Sequence, residues 1–101
     1  MNKTEIIARR IMGWKLNRWD RWYDPENKLF ISVSDFQPAQ NLDHALAIAK
    51  RLELAGYHYK TTGNYEACFN GICVKGATLA EAITEAAFTI ADNHSVDDGW
   101  L

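Results

Sequence analysis

The dipeptide Asn70-Gly71 lies between two stretches of alternating apolar residues, Tyr65 to Phe69 and Ile72 to Lys75, and it restricts the fold more tightly than any other feature. Both central positions of a type I′ turn need positive φ, which Asn and Gly tolerate best, so the pair predicts a two-residue β-hairpin. That loop sets the register: Phe69 opposite Ile72, Cys68 opposite Cys73, Ala67 opposite Val74, and Glu66 opposite Lys75. One face then carries Tyr65, Ala67, Phe69, Ile72 and Val74 and belongs in the core. The other carries Glu66, Cys68, Cys73 and Lys75, a mixed surface.

Upstream, NLDHALAIAKRLELAG over Asn41–Gly56 is the clearest helix and the expected organising centre of the chain. Asn41 can accept from the first free N–H groups, and Gly56 is a helix-ending residue. Leu42, Ala45, Ile48, Ala49, Leu52 and Ala55 share one broad face at helical spacing. Tyr57 to Thr61 predicts a strand that turns through Thr62-Gly63-Asn64 into the hairpin. Thr78 and Glu81 have capping-box spacing and open a second helix to about Asp92, with Leu79, Ala82, Ile83, Ala86 and Ile90 inward. At the other end, Asn2 and Glu5 cap a short helix that buries Ile7, Ala8, Ile11 and Met12. The aromatic run Trp14–Tyr23 predicts a strand, broken near Asn17. After the turn Asp24-Pro25-Glu26-Asn27, Lys28–Ser34 returns as a strand with Leu29, Ile31 and Val33 on its core side. The order αββαβββα predicts an α+β fold: one antiparallel sheet of about five strands with packed helices, a layered sandwich that a dimer would complete.

At 101 residues the chain suits a single domain over 1–95, with a short acidic and aromatic tail over 96–101. No apolar run reaches the roughly 18 residues of a membrane span, so the host cytosol is the expected location and no membrane partner is expected. A reducing cytosol predicts free thiols at Cys68 and Cys73. The net charge of −2 disfavours long polyanions, so nucleic acid is not the expected partner. Residues 1–28 nevertheless hold seven basic against four acidic side chains, a local +3. That balance points to a small anion or a head-to-tail contact.

An opening helix running into Met12-Gly13-Trp14, the aromatic strand pair, Asp35-Phe36 before an alanine-rich helix, and Ala77-Thr78-Leu79-Ala80-Glu81-Ala82-Ile83 before another make up a recurring pattern. Over nearly the whole chain it resembles the phage ABA sandwich domain, found in small phage and prophage proteins. The resemblance implies a virus-encoded accessory protein with helices on both sides of its sheet. It carries over no catalytic residues.

The residues themselves give no catalytic or metal motif. His58 is the one plausible neighbour of the cysteine pair, too few ligands for zinc, and neither cysteine sits at a helix N-terminus that would activate it. No enzyme activity, metal or cofactor is therefore expected. The stretch from Trp14 to Tyr23 is more informative: tryptophans stack on planar bases and guanidinium groups grip phosphate bidentately. Arg18, Trp19, Arg21 and Trp22 are the expected ligand contacts, with Trp22 on the outward side beside Phe30, and with Phe30, His58 and Lys60 as further lining. Buried tryptophans on an arginine-coated sheet are the competing interpretation. Leu54, Phe88 and Trp100 lie away from the helical core faces and predict a homo-oligomer contact. The function expected is sequestration of a small nucleotide-derived host immune signal by a non-enzymatic counter-defence protein. The alternative is a protein inhibitor of a host defence enzyme or nuclease.

Overall fold

The computed structural model describes residues 2–63 and 65–93, so the predicted tail and Trp100 lie outside the described residues. Three helices, α1 (Lys3–Arg10), α2 (Leu42–Leu54) and α3 (Leu79–Asn93), combine with six strands. The strands are β1 (Lys15–Leu16), β2 (Arg21–Asp24), β3 (Leu29–Ser32), β4 (Tyr59–Thr62), β5 (Glu66–Phe69) and β6 (Ile72–Lys75). They form two three-stranded antiparallel sheets, β1-β2-β3 and β4-β5-β6, where one sheet of about five strands was expected.

The reason lies at Asn17. Its N–H donates to the Arg21 carbonyl at 2.9 Å, and its Oδ1 accepts from the N–H groups of Trp19 and Arg21 at 2.9 and 3.1 Å. Those bonds, with Asp20 at φ 57°, double the aromatic run back on itself as β1 and β2. The second hairpin, closed by the Asp24 carboxylate accepting from Glu26, Asn27 and the Asn27 amide, pairs Trp22 with Ile31 and Tyr23 with Phe30. Strand β3 stops at Ser32 in a 3-10 turn (Val33–Asp35), and Leu29 and Val33 are exposed where core positions were expected.

The hairpin at Asn70-Gly71 has the predicted register at every pair, with φ of 50° and 87° at the two turn residues. Ala67 and Phe69 are fully buried, and Ile72 and Val74 pack against the core. Tyr65 does not join them: its positive φ of 54° turns it out of the strand, and it is exposed.

The organising element is α3 rather than α2. It packs against α1, α2, β5 and β6 together. Ala80, Ala82, Ile83, Thr84, Ala86, Ala87, Ile90 and Ala91 are all buried, more than half of the helix circumference. Alanine makes this possible, because small side chains let neighbours approach from several directions. Its start matches the capping expectation, Thr78 Oγ1 accepting from the Glu81 N–H at 3.1 Å. A Cβ placed on Gly76 would stand 2.7 Å from the Ala82 nitrogen, so the chain can enter α3 on this path only with glycine there. Against α2, by contrast, only Ala45, Ile48, Ala49 and Leu52 are buried, and Leu42 is exposed.

Two contacts tie the first hairpins to this body. Arg51 on α2 donates to the Glu26 carboxylate at 2.8 Å and to the Ile11 carbonyl at 3.4 Å. Trp14 and Trp22 insert into the common core, Trp14 meeting Phe36 edge-on at 4.8 Å.

Tyr59 stacks on Phe69 inside the second sheet, and its buried hydroxyl has no hydrogen-bond partner among the described residues. Burial, and secondarily the Glu53 carboxylate, raise its pKa above the usual phenol value. In the unfolded chain the phenol ionises near pH ~10. Its contribution to stability is therefore complete below that pH and lost as pH rises through the higher folded value. Tyr59→Phe should raise stability at neutral pH by about 1 kcal/mol, by removing an unpaired buried hydroxyl. The gap between variant and wild type should widen above pH ~10 in urea unfolding curves.

Candidate functional site: the outer face of the first sheet

Strand alternation settles which side chains the first sheet turns outward. With Trp22 opposite Ile31 on the core side, Arg21, Tyr23, Phe30 and Ser32 share the outer side, joined by Lys15 opposite Tyr23. Tyr23 and Phe30 touch with ring centroids 5.1 Å apart. Phe30 is 61 % exposed and Trp19, in the β1–β2 loop, 68 %. The Arg18 guanidinium lies 4.7 Å from the Trp19 ring centre, a cation–π contact. Among the described residues neither Arg18, Arg21 nor Lys15 enters a salt bridge. The face thus combines exposed π surface with positive charge that has no salt-bridge partner among the described residues, on a loop whose backbone Asn17 and the bond from Val33 N–H to the Asp20 carbonyl hold in place.

Trp22 is not part of it. Only 1 % of it is exposed, because the four-residue loop between β2 and β3 puts it opposite Ile31 and not beside Phe30. Its Nε1 has no hydrogen-bond partner among the described residues, and Arg9 covers the ring at 5.5 Å. His58 and Lys60 are also elsewhere. They belong to the second sheet, Lys60 opposite Cys68 and His58 bonded through its backbone to Asn70. Of the expected contacts, Arg18, Trp19, Arg21 and Phe30 are exposed in this one region. Tyr23 and Lys15, read as part of the aromatic-basic stretch but not among the expected contacts, join the same outer side, and the signal for Tyr23 was the loop length after Asp24, which places it opposite Phe30.

The expected contact residues on the helices divide. Leu54 is 70 % exposed on α2, where Leu42 and Leu46 are exposed as well. Phe88 packs against the core and lies under the Lys3 ammonium at 5.3 Å, with Lys3 paired to Glu85 at 2.8 Å. Phe88 is thus half-buried, packed against the core with Lys3 of α1 over its ring. His44 is a structural group whose Nδ1 accepts from the Gln37 N–H at 3.1 Å.

The profile of the phage ABA sandwich domain matches residues 5–88, a span from α1 into α3. The chain belongs to the phage ABA sandwich domain family. No curated protein and no solved structure matches it. In this ABA sandwich protein the described helices include none long and apolar enough to cross a membrane.

Cys68 and Cys73 are joined in a disulfide, with Cα atoms 4.1 Å apart, which corrects the expectation of free thiols. The predicted register is the cause: directly opposed residues at the closer type of antiparallel pair bring their side chains within bonding reach. Glu66 completes a group of three donor atoms within 4.8 Å of one another. The thiolate is the form that ligates metal, and here each sulfur is bonded to the other.

The two exposed and buried tryptophans should separate cleanly. Trp22→Ala should cost about 3–5 kcal/mol in urea unfolding, the range for deleting a buried large aromatic. Trp19→Ala should stay within about 0.5 kcal/mol of wild type.

Proposed function

We propose that this protein is a non-enzymatic, phage-encoded counter-defence factor that sequesters a small nucleotide-derived host signal on the outer face of its first sheet. The observation that carries this reading is Trp19 lying exposed under Arg18 with Arg21 close by in sequence and free of any carboxylate partner among the described residues. A base can stack on Trp19 or on the Tyr23–Phe30 pair while Arg21 or Arg18 holds phosphate in a bidentate grip. Each stack contributes about 1–3 kcal/mol. Each charge-assisted bond contributes about 1.5–3 kcal/mol. Two of each support micromolar binding after the cost of association. Lys60 and His58 fall outside this revised site, and Trp22 acts behind it by holding β2 in place.

Calorimetry with a panel of mono-, di- and cyclic nucleotides tests the reading. Binding is expected at micromolar affinity or better, and Arg21→Ala should weaken it at least about tenfold with an unchanged melting curve. Its salt dependence should be shallow, since few charges are neutralised. A folded sample that binds nothing in the panel would overturn the proposal. That outcome would favour a protein inhibitor of a host defence enzyme, a reading supported by Trp19 and Phe30 standing exposed with Tyr23, Arg18 and Arg21 in the same sheet and loop, since Trp, Tyr and Arg are the residues enriched in interface hot spots.

The reading includes self-association through α2, whose Leu42, Leu46 and Leu54 no other described residues cover. Light scattering at micromolar concentration should give a mass above 11.5 kDa. Leu46→Glu with Leu54→Glu should restore the monomer. A monomeric wild type would exclude this part of the reading.

A further inference from the structure

The cysteine pair stands apart from the aromatic site, on the outer face of the second sheet, and its surroundings are asymmetric. Strand β5, which carries Cys68, is central, with β4 on one side and β6 on the other. Strand β6, which carries Cys73, pairs among the described residues only with β5. Cys73 is exposed and Cys68 half-buried. Directly across from Cys68 on β4 stands Lys60, on the same face of the sheet. The disulfide therefore crosses from the middle strand to the outermost one, with a cation beyond its inner end and, beyond its outer end, a strand edge that no other described strand pairs.

From this arrangement we infer that Cys68–Cys73 is a thiol-exchange site at which a low-molecular-weight thiolate attacks Cys73 and expels Cys68. Displacement at sulfur runs through a linear array of attacking, central and leaving sulfurs. A thiolate in line behind Cys73 arrives from the open side of β6. One in line behind Cys68 would have to occupy the place of β4 and Lys60. The incoming sulfur forms a bond to Cys73 Sγ, the Cys68–Cys73 bond breaks, and its electron pair leaves on Cys68 Sγ as thiolate. The products are a mixed disulfide on Cys73 and an anionic Cys68. A second equivalent of the same thiol attacks the mixed disulfide, releasing the small disulfide and leaving both cysteines reduced. Lys60 stabilises the leaving thiolate, and a lower leaving-group pKa speeds exchange. Glu66, whose carboxylate lies within 4.8 Å of both sulfurs, opposes the same charge and faces Lys75 across β6. The two charged neighbours thus act in opposite directions on one atom, which a purely structural role for either would not produce.

The test uses the full oxidised chain, folded, with glutathione as the attacking thiol and iodoacetamide present to capture the released cysteine. Peptide mapping should find glutathione on Cys73 and the carbamidomethyl group on Cys68. Lys60→Met should slow opening by about threefold to tenfold, and Glu66→Gln should accelerate it, as expected for one charge removed at close range near a protein surface. Glutathione found on Cys68 or shared equally between the two would overturn the inference. So would a disulfide that opens only in denaturant. Rates unchanged in both variants would remove Lys60 and Glu66 from the mechanism, and the mapping on wild-type protein decides the direction of attack even if a variant fails to fold.

Discussion

Close packing around more than half of the circumference of α3 is the constraint on which the rest of the structure depends. A helix lined with leucine would hold its neighbours at a distance on each side, whereas Ala80, Ala82, Ala86, Ala87 and Ala91 allow α1, α2 and the second sheet to approach together. Ile83 and Ile90 fill the space that the alanines leave. Interiors of this density tolerate little added volume, and the entry to α3 is the tightest point. Gly76 meets the helix backbone there and β6 feeds directly into it, so the hairpin register and the position of α3 are coupled through one glycine. Arg10 donating to the Ala91 carbonyl and Lys3 reaching Glu85 attach α1 along the same helix.

The first sheet joins this core through tryptophan. Trp14 and Trp22 enter the common hydrophobic cluster, and the same strands that bury them must turn every alternate residue outward. Burial of Trp22 leaves its indole N–H without a partner among the described residues, a cost that its contacts with the core offset. The outward row is what remains for function: Lys15, Arg21, Tyr23 and Phe30, extended by Arg18 and Trp19 in the loop. The aromatic-basic composition of the stretch thus divides into two roles by the pleat of the sheet. The second sheet divides likewise, with Phe69, Ala67 and Tyr59 inward and Lys60, Cys68, Cys73 and Glu66 outward. One outer face offers rings and guanidinium groups to a planar anion, the other a disulfide set between charges of opposite sign.

Family membership and geometry contribute different parts of the functional reading. Matching the phage ABA sandwich domain over residues 5–88 assigns the chain to a phage-encoded family. The proposed binding rests instead on side chains that this chain holds exposed without salt-bridge partners among the described residues. The thiol chemistry rests on strand order, which makes one cysteine central and the other peripheral.

Local sequence determined the elements whose cause is local. The Asn70-Gly71 turn, with both residues restricted to positive φ, set four strand pairs without reference to the rest of the molecule. Asn2, Asn41 and Thr78 each cap the helix that follows, because capping involves atoms three residues apart. The aromatic-basic character of the stretch from Trp14 to Tyr23 was legible as well, but not which of its tryptophans lie outside. What the sequence left undecided were relations across distance. Whether the aromatic run formed one strand or two depended on Asn17 bonding back to Arg21, and the side on which Trp22 lay depended on the loop after Asp24. Phe88 has the periodicity of an exposed residue, and it is the fold that packs it half-buried against the core with Lys3 of α1 over its ring. The alanines of α3 fit a helix with one buried face as well as a helix buried on most of its circumference; how many neighbours surround it is a property of the assembled fold. The register brought the two cysteines face to face, but the bond between them, and the open edge beyond Cys73, exist only once the second sheet has formed with β5 at its centre.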